Sequence, residues 1–367
     1  EAMVIEALSQ LIATPQKWRD VLDTPAVVVD LDVVEKNLRR GADVAWANGL
    51  EFRPHIKTHK IPVLAKAQLE LGAVGITAQK ISEAEVMVDA GITDVLISYN
   101  IVGDQKLRRL RSLSERAKLR TVADHKTVVS GLAEHFHDAK TECGVLVELD
   151  GGLNRCGATT ADAAMEVAHE IDAAHGLRFD GFMIYPAPNK WKKALDFLAE
   201  CKLRCTQDGL RARVLSTGGT PDMLNVMADD NVTEYRAGSY IYNDRSLVEF
   251  GAVSAADCAL SVLATVVSTP TERRAVVDAG SKSLTSDLFG MEDFGIVKGH
   301  AEARVFALSE EHGHIEFPVR ERPLIGDKLE IIPNHACVVS NLVDYIYFAR
   351  GDYLVGKQAV DARGAVT

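Results

Sequence analysis

The sequence predicts an α/β protein: a (β/α)8 barrel of TIM type followed by a β-rich domain. Two observations carry this. From Thr24 to about Asp244 a short β-branched run and a helical stretch alternate repeatedly; after Asp244 short strands succeed one another with hardly a helical run. Near-continuously apolar strands that alternate with helices form a parallel sheet covered on both faces, and eight such units close into a barrel. A doubly wound open sheet is the alternative. It normally carries a glycine-rich turn after its first strand, and Val28-Val29-Asp30-Leu31-Asp32 is followed by no such loop.

The elements follow in order. Residues 3–22 read as a helix ahead of the first barrel strand, and Glu1-Ala2, without an initiator methionine, read as a trimmed end or a remnant. Strand candidates are Ala26–Asp32, Glu51–Lys57, Val74–Lys80, Asp94–Asn100, Leu119–Asp124, Gly144–Asp150, Phe179–Pro186, Arg213–Gly219 and Thr233–Tyr240. These are nine candidates for eight places, so one is not a strand or lies outside the barrel. Between them run amphipathic stretches such as Ile61–Leu71, Ser82–Ala90 and Asp104–Ala117, with apolar residues at helical period. Ala259–Ser268, Arg274–Asp278, Arg304–Leu308, His314–Val319, Lys328–Ile332 and Tyr345–Phe348 read as short strands joined by turns. The expected division is a barrel over residues 24–250, with 1–23 and 251–367 forming the β-rich domain.

Composition narrows the class. The 367 residues are 47% hydrophobic and 25% charged, as in globular proteins, and suffice for one large domain and a smaller one. A net charge of −11 leaves no basic face for a phosphate backbone, so nucleic acid is not the partner. No apolar run approaches the ~20 residues that span a bilayer, and Glu1 to Arg19 lacks the apolar core of a signal peptide. Cys143, Cys156, Cys201, Cys205, Cys258 and Cys337 show no framework spacing, which reads as reduced thiols in a cytoplasmic protein.

Arg53-Pro54-His55-Ile56-Lys57-Thr58-His59-Lys60 is the most informative segment, at the C-terminal end of a predicted strand. Barrel active sites form on that rim. A lysine desolvated beside other cations loses its proton readily and becomes an amine nucleophile, as a Schiff base requires; the alternative is a solvated basic strand end. Ser216-Thr217-Gly218-Gly219-Thr220 sits at a strand end before a helix. Small residues there let backbone N–H groups approach a phosphate, and Thr217, Gly218, Gly219 and Thr220 read as a phosphate cup, although Gly-Gly turns are common. In His335-Ala336-Cys337 residues i and i+2 of an extended segment point the same way. Nitrogen plus sulfur suits Zn²⁺, and two protein ligands leave positions open for substrate; a buried histidine beside a core cysteine is the commoner case. Cys201 and Cys205 read as packing, and Glu310-Glu311-His312-Gly313-His314 as a charged turn.

The Arg-Pro-His-x-Lys-Thr-His-Lys run resembles the cofactor-lysine motif of the D-serine dehydratase and D-threonine aldolase family, pyridoxal-phosphate enzymes of fold type III with an alanine-racemase-like barrel and a C-terminal β domain. Four further segments resemble family signatures in family order: Ala73-Val74-Gly75-Ile76-Thr77-Ala78-Gln79-Lys80 with Ser82-Glu83-Ala84-Glu85, Glu148 to Gly157, Ser309 to Gly313, and Pro333-Asn334-His335-Ala336-Cys337. The resemblance implies that Lys57 is the Schiff-base lysine, with His55 and Gln79 among the cofactor's neighbours. It implies that Arg155 contacts the phenolic oxygen of the cofactor, and that Ala237-Gly238-Ser239-Tyr240 is a second phosphate element using Gly238, Ser239 and the Tyr240 hydroxyl. Tyr185 is the candidate to face the ring nitrogen, its alternative being a core tyrosine with a satisfied hydroxyl. The family's metal pair stands at His335 and Cys337, with zinc expected and manganese or magnesium as alternatives.

The resemblance implies a lyase acting on a β-hydroxy D-amino acid and forming a homodimer. Dehydration to a 2-oxo acid and ammonia is the expected outcome; retro-aldol cleavage to glycine and an aldehyde uses the same parts. The aldolases carry a His-Cys-Asp run where this chain has His-Ala-Cys, and a histidine after the tyrosine where Tyr185 is followed by Pro186. Both departures favour dehydration. A non-catalytic cofactor-binding protein of the same barrel type is the reading from another class, but such proteins are usually the barrel alone. A racemase needs a second base from the partner subunit and no metal.

Overall fold

The computed structural model describes residues 4–367, so the expectations for Glu1-Ala2 and for Met3 lie outside the described residues. The chain forms two compact units. One takes residues up to Arg40, Thr58–Ile61 and Ser239–Gly364; the other takes Gly41–Lys57, Pro62–Gly238 and Ala365–Thr367.

The first predicted strand, β1 (Ala26–Asp30), is not a barrel strand. It pairs antiparallel with Leu260–Leu263 and parallel with Tyr347–Ala349 in the mixed sheet of the first unit. This resolves the surplus of nine candidates. Ala26 to Val29 are all buried, and an apolar run covered on both faces reads the same in either sheet, because its periodicity does not name its neighbours.

The eight remaining strands make the barrel of the second unit: β2 (Glu51–Phe52), β3 (Ile76–Ala78), β4 (Asp94–Asn100), β5 (Lys118–Ala123), β6 (Cys143–Leu149), β7 (Leu177–Ile184), β8 (Val214–Gly218) and β9 (Glu234–Arg236). They pair in parallel in the order β2-β9-β8-β7-β6-β5-β4-β3. The ring closes just beyond β2. His55 bridges to Thr77, the Ile56 N–H donates to the Thr77 carbonyl at 2.9 Å, and the Thr77 N–H donates to that of Pro54 at 2.8 Å. Leu96, Val122, Leu146 and Met183, from four successive strands, pack together in the wall, each worth about 1.5–3 kcal/mol of burial. A buried ionic chain ties distant strands together. Arg53 Nε donates to Glu234 at 2.9 Å and its Nη1 to Asp94 at 2.7 Å; Ser216 Oγ donates to Glu234 at 2.8 Å and accepts from Arg236 Nε at 2.9 Å. Burial works against the Arg53 charge, but the two carboxylates override it and hold its pKa above the ordinary value.

In the first unit β10 (Leu260–Ser268) is the hub, pairing with β1, with β11 (Arg274–Val277) and with the later Lys328–Pro333 strand. Six of the strands expected after Asp244 are present. The sequence reading missed Gly295–Val297, which pairs with Pro333, Ile332 and Ile331, and Tyr353–Ala359, the return arm of a hairpin with Tyr345–Arg350. The helix expected over 3–22 is two pieces, Val4–Gln10 and Trp18–Val21, with Pro15 between them; proline and the residue before it cannot continue a helix. Among the described residues no helix is long and apolar enough to cross a membrane.

Candidate active site

Barrel strands deliver their following residues to one rim, where a short helical connection then turns away. Lys57 stands on that rim five residues past β2. His55, Ile56, Thr58, His59 and Lys60 around it are buried, whereas Lys57 is exposed. The octapeptide is therefore not a solvated basic strand end. Its histidines and its other lysine are built in: His59 Nδ1 accepts the Ile61 N–H at 2.9 Å, and Lys60 Nζ donates to the Ala362 carbonyl at 3.4 Å. His55 Nδ1 accepts the N–H of Lys57 at 3.2 Å, so its Nε2 is the protonated nitrogen and donates to Gln79 Oε1 at 3.0 Å. Gln79 is itself held, donating from Nε2 to the Ser98 carbonyl at 3.2 Å. These bonds fix the backbone that carries Lys57.

Arg155 lies on the exposed loop after β6, in the same unit. Asp150 Oδ1 accepts the N–H groups of Gly152 and Asn154, and Asp124 Oδ2 accepts that of Gly157 at 2.9 Å, so two carboxylates pin the loop at both ends. Gly152 (φ +98°), Asn154 (φ +53°) and Gly157 (φ +111°) take the left-handed turns this needs. The Arg155 guanidinium carbon sits 5.8 Å from the ring centroid of Tyr185, just past β7.

Thr217 and Gly218 end β8, and Gly219 and Thr220 follow. All four are buried. A Cβ on Gly218 would lie 1.8 Å from the Arg236 carbonyl oxygen. One on Gly219, at φ +134°, would lie 3.2 Å from the Tyr185 hydroxyl. Glycine alone fits, and the structure thus brings the cup beside Tyr185 and, through it, Arg155. Thr217 Oγ1 is buried with no hydrogen-bond partner. An unpaired buried hydroxyl is costly, and its place in a glycine-walled turn fits an oxyanion such as a phosphate. Around the cup Tyr235 Oη donates to the Gly219 carbonyl at 2.5 Å, and Arg236 Nη2 donates to that of Ile184 at 2.9 Å. Full burial holds the Arg236 pKa below its usual value, its carboxylate neighbours only partly opposing this. Gly238 follows β9.

Ser239 and Tyr240 belong to the first unit, where they open a turn of 3-10 helix, Ser239–Ile241. Cys337 collects neighbours there: Thr58 Oγ1 at 3.0 Å, Ser239 Oγ at 3.5 Å, and a hydrogen bond to His335. The extended segment expected for His335 and Cys337 is corrected. His335 caps the helix Ala336–Leu342 and Cys337 lies in its first turn. The cause is remote in sequence: the Asp244 carboxylate accepts the Ala336 N–H at 2.9 Å and so begins the helix from outside. The two side chains meet nonetheless. Burial pushes the His335 pKa down, but the hydrogen bond and charge of Cys337, together with Asp287 and Asp244, raise it to about 9. A nitrogen and a sulfur donor within hydrogen-bonding reach of each other have the donor chemistry that fits a borderline metal such as Zn²⁺. Among the described residues no three His, Cys, Asp or Glu side chains gather as a metal cluster; the protein offers a pair.

His312 stands in the turn expected for it, but His314 is a residue of the strand Gly313–Glu316, paired with Val276, and Cys201 and Cys205 are buried in helix Trp191–Gln207. Cavity size does not find the site. A space of about 240 Å³ beside Lys80 and Tyr99, and one of about 590 Å³ between the Asp150–Ala161 loop and helix Trp191–Gln207, are lined by none of the predicted site residues. Sequence reasoning missed Asp124, Arg236 and Asp287, whose roles rest on contacts with no local signature.

Comparison with known proteins follows the same lines. A family profile described as "Alanine racemase, N-terminal domain" matches residues 29–246, and one described as "Putative serine dehydratase domain" matches residues 259–349. The chain is 33% identical over 359 residues to a D-threonine aldolase of an Arthrobacter species, covering 94% of this chain and 93% of that one. It is 31% identical over 379 residues to the D-threo-3-hydroxyaspartate dehydratase of Delftia sp. strain HT23, covering 94% and 96%. A solved structure of a D-threo-3-hydroxyaspartate dehydratase mutant in a metal-free form superposes with a TM-score of 0.84 at 27% identity, covering 94% and 99%.

Proposed function

The chain belongs to the alanine-racemase-like family of D-threonine aldolases and D-serine dehydratases, and from that premise we propose that it is a pyridoxal-phosphate- and metal-dependent lyase releasing a 2-oxo acid and ammonia from a β-hydroxy D-amino acid. The observation that carries the reading is Lys57, an exposed amine on the barrel rim amid buried, hydrogen-bonded basic neighbours.

Bound pyridoxal phosphate supplies an electron sink for negative charge at Cα, and a bound divalent cation, zinc by its nitrogen–sulfur donor set, supplies Lewis acidity at the departing hydroxyl. Lys57 would hold the cofactor covalently through Nζ until substrate binds. Freed, Nζ removes the α-proton from its own face, which selects the D-enantiomer. Thr217, Gly218, Gly219 and Thr220, with Gly238, Ser239 and Tyr240, hold the phosphate; Arg155 holds the phenolic oxygen. Tyr185 would offer the ring nitrogen a phenol rather than a carboxylate, and His55 and Gln79 would complete the surroundings. His335 and Cys337 hold the cation. Loss of water yields an enamine that hydrolyses to the products. A cytoplasmic homodimer is part of this reading.

A second reading, retro-aldol cleavage, is favoured by the 33% identity to a D-threonine aldolase. His335-Ala336-Cys337 and Tyr185-Pro186 favour dehydration. The test is incubation of protein loaded with cofactor and metal with D-serine, D-threonine and D-threo-3-hydroxyaspartate, scoring 2-oxo acid against glycine. Glycine with an aldehyde selects the second reading, and no turnover of any of the three overturns both. Borohydride reduction of the loaded protein should label Lys57; a label on Lys60 sinks the lysine assignment.

A further inference from the structure

We infer that Asp287 is the positioning residue of the metal pair: its carboxylate holds the His335 ring so that Nε2, not Nδ1, is the metal-facing nitrogen. The inference rests on the reading of His335 and Cys337 as the cation's ligands. His335 Nδ1 lies 2.7 Å from Asp287 Oδ2; a carboxylate only accepts, so Nδ1 carries a proton, and in the neutral ring that binds a metal the lone pair is left on Nε2. A neutral imidazole has only one such nitrogen, and the partner of the other fixes which it is.

The loop that carries Asp287 is bracketed at the imidazole. Asn334, the residue immediately before His335, donates from Nδ2 to the carbonyls of both Asp287 (2.9 Å) and Asp293 (2.7 Å). Arg245 Nη1 donates to the same Asp293 carbonyl at 2.6 Å and to Asn334 Oδ1 at 3.2 Å. At the near end the Asp287 N–H donates to Thr285 Oγ1 at 3.3 Å. Phe289 sets its ring edge-on against the imidazole, centroids 4.6 Å apart. The other nearby carboxylate cannot serve. Asp244 already accepts the Ala336 N–H at 2.9 Å, the Ser246 hydroxyl at 2.5 Å and the Leu247 N–H at 3.4 Å. Asp287 is half-buried and spends Oδ2 on the imidazole.

Outer partners of metal-binding histidines typically change metal affinity by 10–100-fold. The test measures Zn²⁺ affinity by competition with a chromophoric chelator, alongside pyridoxal phosphate affinity, for wild type, Asp287→Ala, Asp287→Asn and Cys337→Ala. Asp287→Ala should bind Zn²⁺ about 10–100-fold more weakly with unchanged cofactor affinity, and Asp287→Asn, which keeps an acceptor oxygen without the charge, should fall between. In Zn²⁺-loaded wild type, ¹⁵N-edited NMR should find the His335 proton on Nδ1, a readout that needs no variant to fold. Wild-type Zn²⁺ affinity in Asp287→Ala, or the proton on Nε2, overturns the inference alone. Zn²⁺ binding absent from wild type, or undiminished in Cys337→Ala, overturns the metal reading and the inference with it.

Discussion

Replacing Thr217 by valine should move two quantities in opposite directions. The side chain is fully buried and Oγ1 meets no hydrogen-bond partner. Leaving a buried hydroxyl unpaired costs about 1–3 kcal/mol, and valine exchanges it for a methyl of the same shape. The cofactor-free protein should therefore gain about 1–2 kcal/mol, which in a protein of this size raises Tm by roughly 1–3 °C. With pyridoxal phosphate the sign reverses. A hydroxyl that donates to a phosphate oxygen makes a charge-assisted bond of about 1.5–3 kcal/mol, so the variant should bind the cofactor roughly 10- to 100-fold more weakly. Calorimetry on the cofactor-free proteins reads the first quantity; titration with cofactor, followed by absorbance, reads the second. Thr217→Ser, which keeps the hydroxyl, should retain most of the affinity. A cofactor-free valine variant less stable than wild type, or one whose cofactor affinity stays within about twofold, refutes the phosphate-cup argument, since an ordinary structural hydroxyl behaves that way.

Three further outcomes are expected. Burial pushes the thiols of Cys143, Cys201, Cys205 and Cys258 up to about 12, so a disulfide reagent should titrate only Cys156 and Cys337 in the native protein and only Cys156 once Zn²⁺ is bound; four reactive thiols in the native state would contradict this. Cys337→Asp offers a harder ligand, shifting preference from Zn²⁺ toward Mn²⁺ or Mg²⁺, and should lose ammonia release while gaining at most weak retro-aldol cleavage with Mn²⁺, measured by product analysis. At Asp257 burial acts to raise the pKa, but the Ser254 N–H and hydroxyl, Lys36 and Arg40 bring it down from 3.8 to about 2. Its stabilisation is thus fully present above pH 4 and lost as pH falls toward 2. Given its exposed lysine and arginine partners it amounts to about 1–2 kcal/mol, and the stability gap between wild type and Asp257→Asn in urea titrations should close over that range rather than stay constant.

What could be read from the sequence was whatever a local pattern encodes. The barrel strands from Glu51 onward and the glycine-walled turn at Thr217 to Thr220 carry their own periodicity and turn chemistry, and the structure has them within a few residues of expectation. The misreadings share one cause. Val27 to Val29 is apolar in either sheet, and only its partners at Leu260 and Phe348 decide the matter. Cys337 lies on a helix because Asp244, far earlier in the chain, caps it. Asp287 is an unremarkable acid in a polar loop until Asn334 draws that loop to His335. Local sequence reports a residue's preference; these roles are set by partners that topology alone brings near.

The placement of β1 has a consequence for synthesis. Val29 sits between Leu260 and Phe348, and the later of these partners leaves the ribosome 319 residues after Val29 (348 − 29). At about 5–20 residues per second this apolar strand is without its sheet for roughly 15–60 s. For most of that interval, until Leu260–Leu263 has emerged, Ala26-Val27-Val28-Val29 is an unpaired apolar edge, the kind of segment that seeds aggregation and that holding chaperones bind. The nascent chain is thus most vulnerable near its beginning, and slower translation within the barrel, before Leu260 is made, should lower soluble yield more than slower translation of the last hundred residues.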